Sequence, residues 1–254
     1  MKYLILFLPL FAIGVNAQDL SLTKKTEKLL KAYPNCIAAI KDNQVVFKDG
    51  SALPFDDGVK NKSAMVLLDD ADIEDQLYYS YKRGTNVKQP QKWQDAGRVR
   101  NEAFFKKMYG ETEAAVEANL VEITWCPKII GQKIKVTKVN GVDKALTKIS
   151  EELDNYPEYK KYISDIGGTF TWRKISGTNR ISTHSFGMTI DINVKQSHYW
   201  QWDCKCKEEN STLHYRNWIP MKIVEIFEKN GFIWGGKWYH YDTMHFEYRP
   251  ELLD

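Results

Sequence analysis

Met188-Thr189-Ile190-Asp191-Ile192-Asn193-Val194 alternates apolar and polar side chains at every step. A period of two is that of a strand, so Met188, Ile190, Ile192 and Val194 are predicted to enter a core while Asp191 faces the open side. The pattern returns at Met244-His245-Phe246-Glu247-Tyr248-Arg249, where His245, Glu247 and Arg249 share the polar face. Between the two, Ile219, Ile223, Val224, Ile226 and Phe227 recur at helical spacing, opened by Pro220 and closed by Gly231. Strand, helix and strand in that order predict an α+β fold, a central antiparallel sheet with helices packed on one side. If the two strands pair, Asp191 and His245 point to the same side.

The periodicity weakens toward the N-terminus. Leu22, Leu29, Leu30 and Tyr33 give a short amphipathic helix that stops before Pro34. Residues 36–40 and 44–47 read as a hairpin around Asp42-Asn43. Residues 50–100 mix Gly, Asp, Lys and Pro with Tyr78, Tyr79 and Tyr81 and show no sustained period, which suggests irregular, groove-lining structure. Residues 101–108 look helical, 121–125 and 133–137 alternate like strands, and Leu146, Ile149 and Leu153 give a helix that Pro157 interrupts. The division that follows is 1–17 as a leader, 18–119 as an N-terminal portion and 120–254 as the domain carrying the chemistry.

Met1-Lys2 followed by an apolar stretch over 3–15 and the small-residue signal Val15-Asn16-Ala17 reads as a secretory signal peptide. The stretch is shorter than the roughly 20 residues that cross a bilayer, so the expected mature chain is periplasmic or secreted, and free of the membrane. Losing Lys2 takes the formal charge of +3 to +2. With both signs interspersed, nothing favours nucleic acid. Of the four cysteines, Cys36 and Cys126 each lie in or beside a predicted strand, which allows a bridge between them. Cys204-Lys205-Cys206 reads as a surface thiol pair or a strained disulfide.

A catalytic zinc needs three protein ligands, drawn from imidazole nitrogen and carboxylate oxygen, plus an open position for water. His184 stands seven residues before Asp191, and His245 comes from the second strand, so three suitable groups can converge. His184 alone would be an ordinary polar histidine and Asp191 a turn cap. The segments around them carry the weight.

Ser182-Thr183-His184-Ser185-Phe186-Gly187-Met188-Thr189-Ile190-Asp191 resembles the S-x-H-x-x-G-x-A-x-D pattern of the D-alanyl-D-alanine carboxypeptidase family of zinc peptidases, with Thr189 in place of Ala. Asp242-Thr243-Met244-His245-Phe246-Glu247 is similar to the family's second block. The Trp234-Gly235-Gly236-Lys237-Trp238 loop looks like that of its L-alanyl-D-glutamate endopeptidase branch. The resemblance, drawn over roughly residues 120–250, implies a hedgehog-like fold and one Zn2+ per chain on His184, Asp191 and His245. It also implies Asp242 as general base and Arg173, in Gly168-Thr169-Phe170-Thr171-Trp172-Arg173, as the partner of the carbonyl oxygen. Such an oxyanion contact is worth roughly 3 kcal/mol. Ser182, Trp234 and Trp238 join Arg173 as candidates for substrate contact, the tryptophans with core packing as the competing role. Glu247 is expected to support a ligand or the sheet rather than act as base, and His198, His214 and His240 to be surface histidines.

The implied function is hydrolysis of peptidoglycan stem peptides, as a D-Ala-D-Ala carboxypeptidase or as an L-Ala-D-Glu type endopeptidase. A non-catalytic wall-binding or signalling module on the same fold is the rival, but a retired enzyme tends to lose a ligand or the base, and all four are present. Arg173, Arg180 and Lys237 lie in or beside the motif segments, and this charge tips the reading toward recognition of a free terminal carboxylate. Residues 95–100, Asp95-Ala96-Gly97-Arg98-Val99-Arg100, could line a substrate groove, but read first as an exposed basic turn ahead of a helix.

Overall fold

In the computed structural model, which describes residues 21–84 and 88–253, eight short strands form three antiparallel sheets. The leader read at residues 1–17 lies outside the described residues. Strands β1 (Ile37–Lys41), β2 (Gln44–Phe47) and β3 (Ala52–Pro54) make the first sheet, and β4 (Leu120–Trp125) pairs with β5 (Gln132–Thr137) in the second. The third, in the order β6-β8-β7, joins β6 (Thr189–Asp191), β7 (Phe232–Trp234) and β8 (His245–Tyr248). The class is α+β, but the single central sheet of the sequence reading is divided into these three.

Strand β6 is short for a local reason. Asn193 caps the 3-10 turn Val194–Gln196, its side chain accepting from Lys195 N at 2.9 Å and donating to Lys161 O at 3.0 Å. The chain is drawn out of the sheet after Asp191, and Val194, expected in the core, is 37% exposed. Pairing nevertheless continues as far as Ile192, whose N–H donates to Met244 O at 3.0 Å. At the other end of β6, Gly187 turns in the left-handed region and its carbonyl accepts from Thr137 N at 2.9 Å, which ties the second sheet to the third.

The helices follow the apolar spacing. Leu22–Ala32, Glu102–Tyr109, Val142–Leu153 and Met221–Lys229 all form, the second capped by Asn101, which accepts from Phe104 N at 2.9 Å. The hairpin turns at Asp42 and Asn43, both in the left-handed region that a two-residue loop demands. Met221–Lys229 lays Ile223, Val224, Ile226 and Phe227 into the core, where Phe227 stacks on Phe246 with ring centroids 3.9 Å apart. No helix among the described residues is long and apolar enough to cross a membrane.

One apolar core runs through both halves of the chain, from Leu29 and Tyr33 to Phe246 and Leu252. Tyr33 Oη donates to Glu251 Oε2 at 2.6 Å, and Arg249 Nη1 donates to Gly97 O at 3.0 Å. Residues 50–100 are mostly irregular, with a short helix at Ala64–Asp69 and a 3-10 turn at Asp75–Leu77, yet Tyr79 and Tyr81 are buried. Cys36 and Cys126 are not bridged; Cys36 donates to Asn140 Oδ1 at 3.1 Å and Cys126 is buried. The disulfide instead joins Cys204 to Cys206, with Lys205 between them in the left-handed region.

Candidate metal centre

Register brings the ligands together. In the β6-β8 pair Asp191 is opposite His245 and Thr189 opposite Glu247, so all four side chains stand on one face. His184 arrives from the 3-10 turn Thr183–Phe186, whose cap Ser182 accepts from His184 N at 3.4 Å. The carboxylate of Asp191 lies between the two rings: Oδ2 is 3.2 Å from His184 Nε2 and Oδ1 is 2.9 Å from His245 Nδ1. One ligand atom from each of the three residues falls within 4.8 Å of the others. Two imidazole nitrogens and a carboxylate oxygen at this spacing, with both histidines buried, are a donor set that fits a divalent cation of the zinc type.

The charges interlock. Burial works against ionisation of Asp191, but His184 and His245 outweigh it and hold the carboxylate well below the usual range. Burial likewise opposes charge on His245, yet its hydrogen bonds to Asp191 and Glu247 push it up to about 10. A cation bound on these groups must therefore displace protons, which makes affinity fall as pH falls.

The other ring nitrogen of His245, Nε2, is 3.2 Å from Glu247 Oε2. Glu247 is fully buried, and its second oxygen accepts from Arg249 Nη1 at 3.1 Å. A carboxylate on the far nitrogen of a ligand histidine fixes ring orientation and tautomer. Despite its burial, His245, Arg249 and Arg100 bring the acid down to about 2 from an ordinary value near 4.5. Glu247→Gln is expected to weaken metal binding about 10- to 100-fold, read by competition with a chelator. The depressed value means that Glu247 contributes stability fully above pH about 4.5 and loses it as pH falls toward 2. The glutamine variant should show less acid destabilisation over that window in melts at stepped pH.

Asp242 precedes β8 and is half-buried, but its Oδ1 is sealed from solvent without a hydrogen-bond partner among the described residues. Burial first, and the Asp191 charge second, raise it to about 7. It sits opposite Tyr199 in an isolated antiparallel bridge, and its N–H donates to Gly235 O at 3.0 Å. Gly235 has no side chain for a spatial reason: a Cβ there would stand 2.6 Å from the carbonyl oxygen of Asp242, which is backbone and cannot swing aside. Gly235→Ala is therefore expected to shift the Asp242 backbone and cut turnover at least tenfold with metal content unchanged, measured as kcat per bound metal.

The remaining sequence candidates divide. Trp238 is buried with its ring centroid 5.6 Å from that of His245. Trp234 is fully buried, donates to Thr243 O at 2.9 Å and stacks on Phe246, so it is a core residue and not a cleft wall. Thr189 is also fully buried and donates to Thr169 O at 3.3 Å, tethering the sheet. Arg173 is an exposed residue; its backbone N–H donates to Ser185 Oγ at 2.9 Å and its carbonyl accepts from Ser182 N at 3.0 Å. Lys237, counted toward carboxylate recognition, is buried and bound to Glu228 Oε1 at 2.5 Å and to Lys82 O at 2.7 Å. It is thus spent on the fold.

Two histidines expected at the surface are interior. His240 Nδ1 is 2.7 Å from Asp95 Oδ2 and its Nε2 is 2.8 Å from Glu209 O, and the same Glu209 pairs with Arg98 Nη2 at 2.7 Å. His198 is buried between Asp203, 3.0 Å from its Nδ1, and the ring of Trp218. His214 is exposed, as expected. The turn at residues 95–100 is not an exposed basic one: Asp95 is 1% exposed, and Arg98 and Arg100 are mostly covered. Two other carboxylate groupings, around Asp57, Asp72 and Asp75, already share the ammonium of Lys62.

The fold and this face together define a candidate hydrolytic metal centre: three convergent ligands, a supported histidine and a sealed carboxylate beside them. Residues 176–248 match the D-alanyl-D-alanine carboxypeptidase family, the one suspected from the blocks at Ser182 to Asp191 and Asp242 to Glu247. The match contains all four of the central residues, supports a peptidase at the family level, and begins three residues beyond Arg173. Comparison with curated proteins and with solved structures gave no match.

Proposed function

We propose that the protein is an exported zinc peptidase of peptidoglycan stem peptides, acting as a D-Ala-D-Ala carboxypeptidase. The observation that carries this reading is the convergence of His184, Asp191 and His245 on one point with Asp242 beside them. One Zn2+ held there supplies a Lewis acid and lowers the pKa of water to about 7. His184 and His245 donate ring nitrogens and Asp191 an oxygen, while Glu247 keeps the His245 ring in its working tautomer. Asp242 accepts the proton of the water that attacks the scissile amide and returns it to the leaving nitrogen. Arg173, an exposed residue, offers its guanidinium to the carbonyl oxygen as negative charge develops there.

The choice of bond rests on charge. A carboxypeptidase must hold the free carboxylate of its last residue, and a guanidinium does this with a planar fork of donors. A pentapeptide ending in D-Ala-D-Ala is expected to lose D-alanine, and the same peptide with a C-terminal amide to be cleaved at least tenfold more slowly. Mass spectrometry of both digests reads the outcome. Equal cleavage of acid and amide, or a cut between L-Ala and D-Glu, would overturn the carboxypeptidase assignment in favour of an endopeptidase.

A further inference from the structure

Arg100, Arg180 and Arg98 line one cavity of about 220 Å³, together with Leu68, Ile181 and Phe186. Its size suits a single residue and not a drug-sized ligand. Three carboxylates, Asp69, Asp70 and Glu102, also border it, but they belong to the rim: Asp70 is exposed, and the side chains of Asp69 and Glu102 are 58% and 41% exposed. The guanidiniums form the covered part, with the side chains of Arg98, Arg100 and Arg180 13–14% exposed.

Their demands are met unequally. Arg98 is satisfied, with both Nη atoms on Glu209 at 2.7 and 3.0 Å and Asp95 at 3.3 Å. Arg100 reaches Ile181 O at 3.3 Å and Gly97 O at 3.5 Å, and its ion pair among the described residues is to Glu247 at 4.0 Å. Arg180 faces Asp69 and Glu209 only at 3.5 Å, and its Nε is buried without a hydrogen bond. Burial, with the neighbouring arginines adding to it, depresses both groups, Arg100 to about 10. Both remain cations at neutral pH, so a covered floor carries two positive charges with weak compensation.

We infer that this cavity is a carboxylate-binding subsite, in which Arg100 and Arg180 together take the carboxylate of an amino-acid residue of the substrate. The floor touches the metal centre through Glu247, because the Glu247 oxygen that faces Arg100 is the one 3.2 Å from His245 Nε2. Arg180 is three residues before Thr183, at the start of the turn that carries His184. The inference deepens the peptidase reading by naming where substrate charge is held, and rests on it only for the ligand's being a substrate.

The test is binding, not turnover. N-acetyl-D-alanine and its amide are titrated into the full mature chain by NMR, in wild type, Arg180→Gln, Arg100→Lys and His184→Ala, each first shown folded by its melt. The acid is expected to bind and the amide not to. Affinity should fall at least fivefold in Arg180→Gln and in Arg100→Lys, and persist in His184→Ala. Arg100→Lys keeps the charge and spares the fold if full removal would not. Acid binding that vanishes in His184→Ala but survives both arginine changes would place the carboxylate on the metal and overturn the subsite. Equal binding of acid and amide would overturn it as well. Because the readout survives loss of the metal ligand, failure of the peptidase assignment leaves its result interpretable.

Discussion

Asp242→Ala is expected to retain the metal and lose the reaction. The side chain lies outside the proposed ligand set, in which His184, Asp191 and His245 supply three donors within 4.8 Å of one another. Removing it leaves zinc affinity within a few-fold of wild type. It deletes the only carboxylate of the site whose ordinary value is raised toward neutrality, pushed up to about 7 by burial and by Asp191. General-base catalysis is worth about 100- to 10,000-fold, so turnover should fall by at least two orders of magnitude. Metal analysis and a D-alanine release assay on one preparation decide the matter. Parallel loss of zinc and activity would make Asp242 a ligand instead.

The second large effect is on the metal itself. His184→Ala with His245→Ala leaves Asp191 as a lone carboxylate, and one oxygen ligand does not hold zinc against water and buffer. Wild type should bind about one equivalent and the double variant none, read by mass spectrometry under native conditions. Loading should release protons, because Asp191 and Glu247 hold His245 in its charged form up to pH about 10. Affinity is accordingly expected to rise with pH through the neutral range. Undiminished zinc binding in the double variant would remove the centre from this face.

The facing of Asp191 and His245 was legible in the sequence because it is periodic, whereas His184, on a 3-10 turn, was reached only through the family resemblance. Asp191 and His245 each occupy a polar position of an alternating strand, and the two strands pair in the register that sets them opposite each other. Helix positions were legible for the same reason. What escaped was set by contacts between distant residues, which leave no period. The pairing of His240 with Asp95 spans 145 residues, and that of Arg98 with Glu209 spans 111. Without those partners, His240 reads as a surface histidine and Arg98 as a solvated charge. The extent of β6 was misjudged for a different cause: alternation reports faces and not where hydrogen bonding stops, and the Asn193 cap stops it. A spacing argument could not have separated Trp234 from Trp238 either, because the depth of each ring depends on what distant segments cover it.

Tyr33 and Gly97, both far outside the stretch that matches the family, fasten onto Glu251 and Arg249 just beyond β8. Arg249 is fully buried, and Gly97 lies so close under β7 and β8 that a Cβ on it would stand 2.5 Å from Ile233 and 2.8 Å from Glu247. The recognisable segment is therefore not a transplantable unit. An excised fragment beginning near residue 120 would expose the floor beneath its own ligands and leave Arg249 without its carbonyl, so grafting this chemistry onto another carrier requires bringing the anonymous first half along.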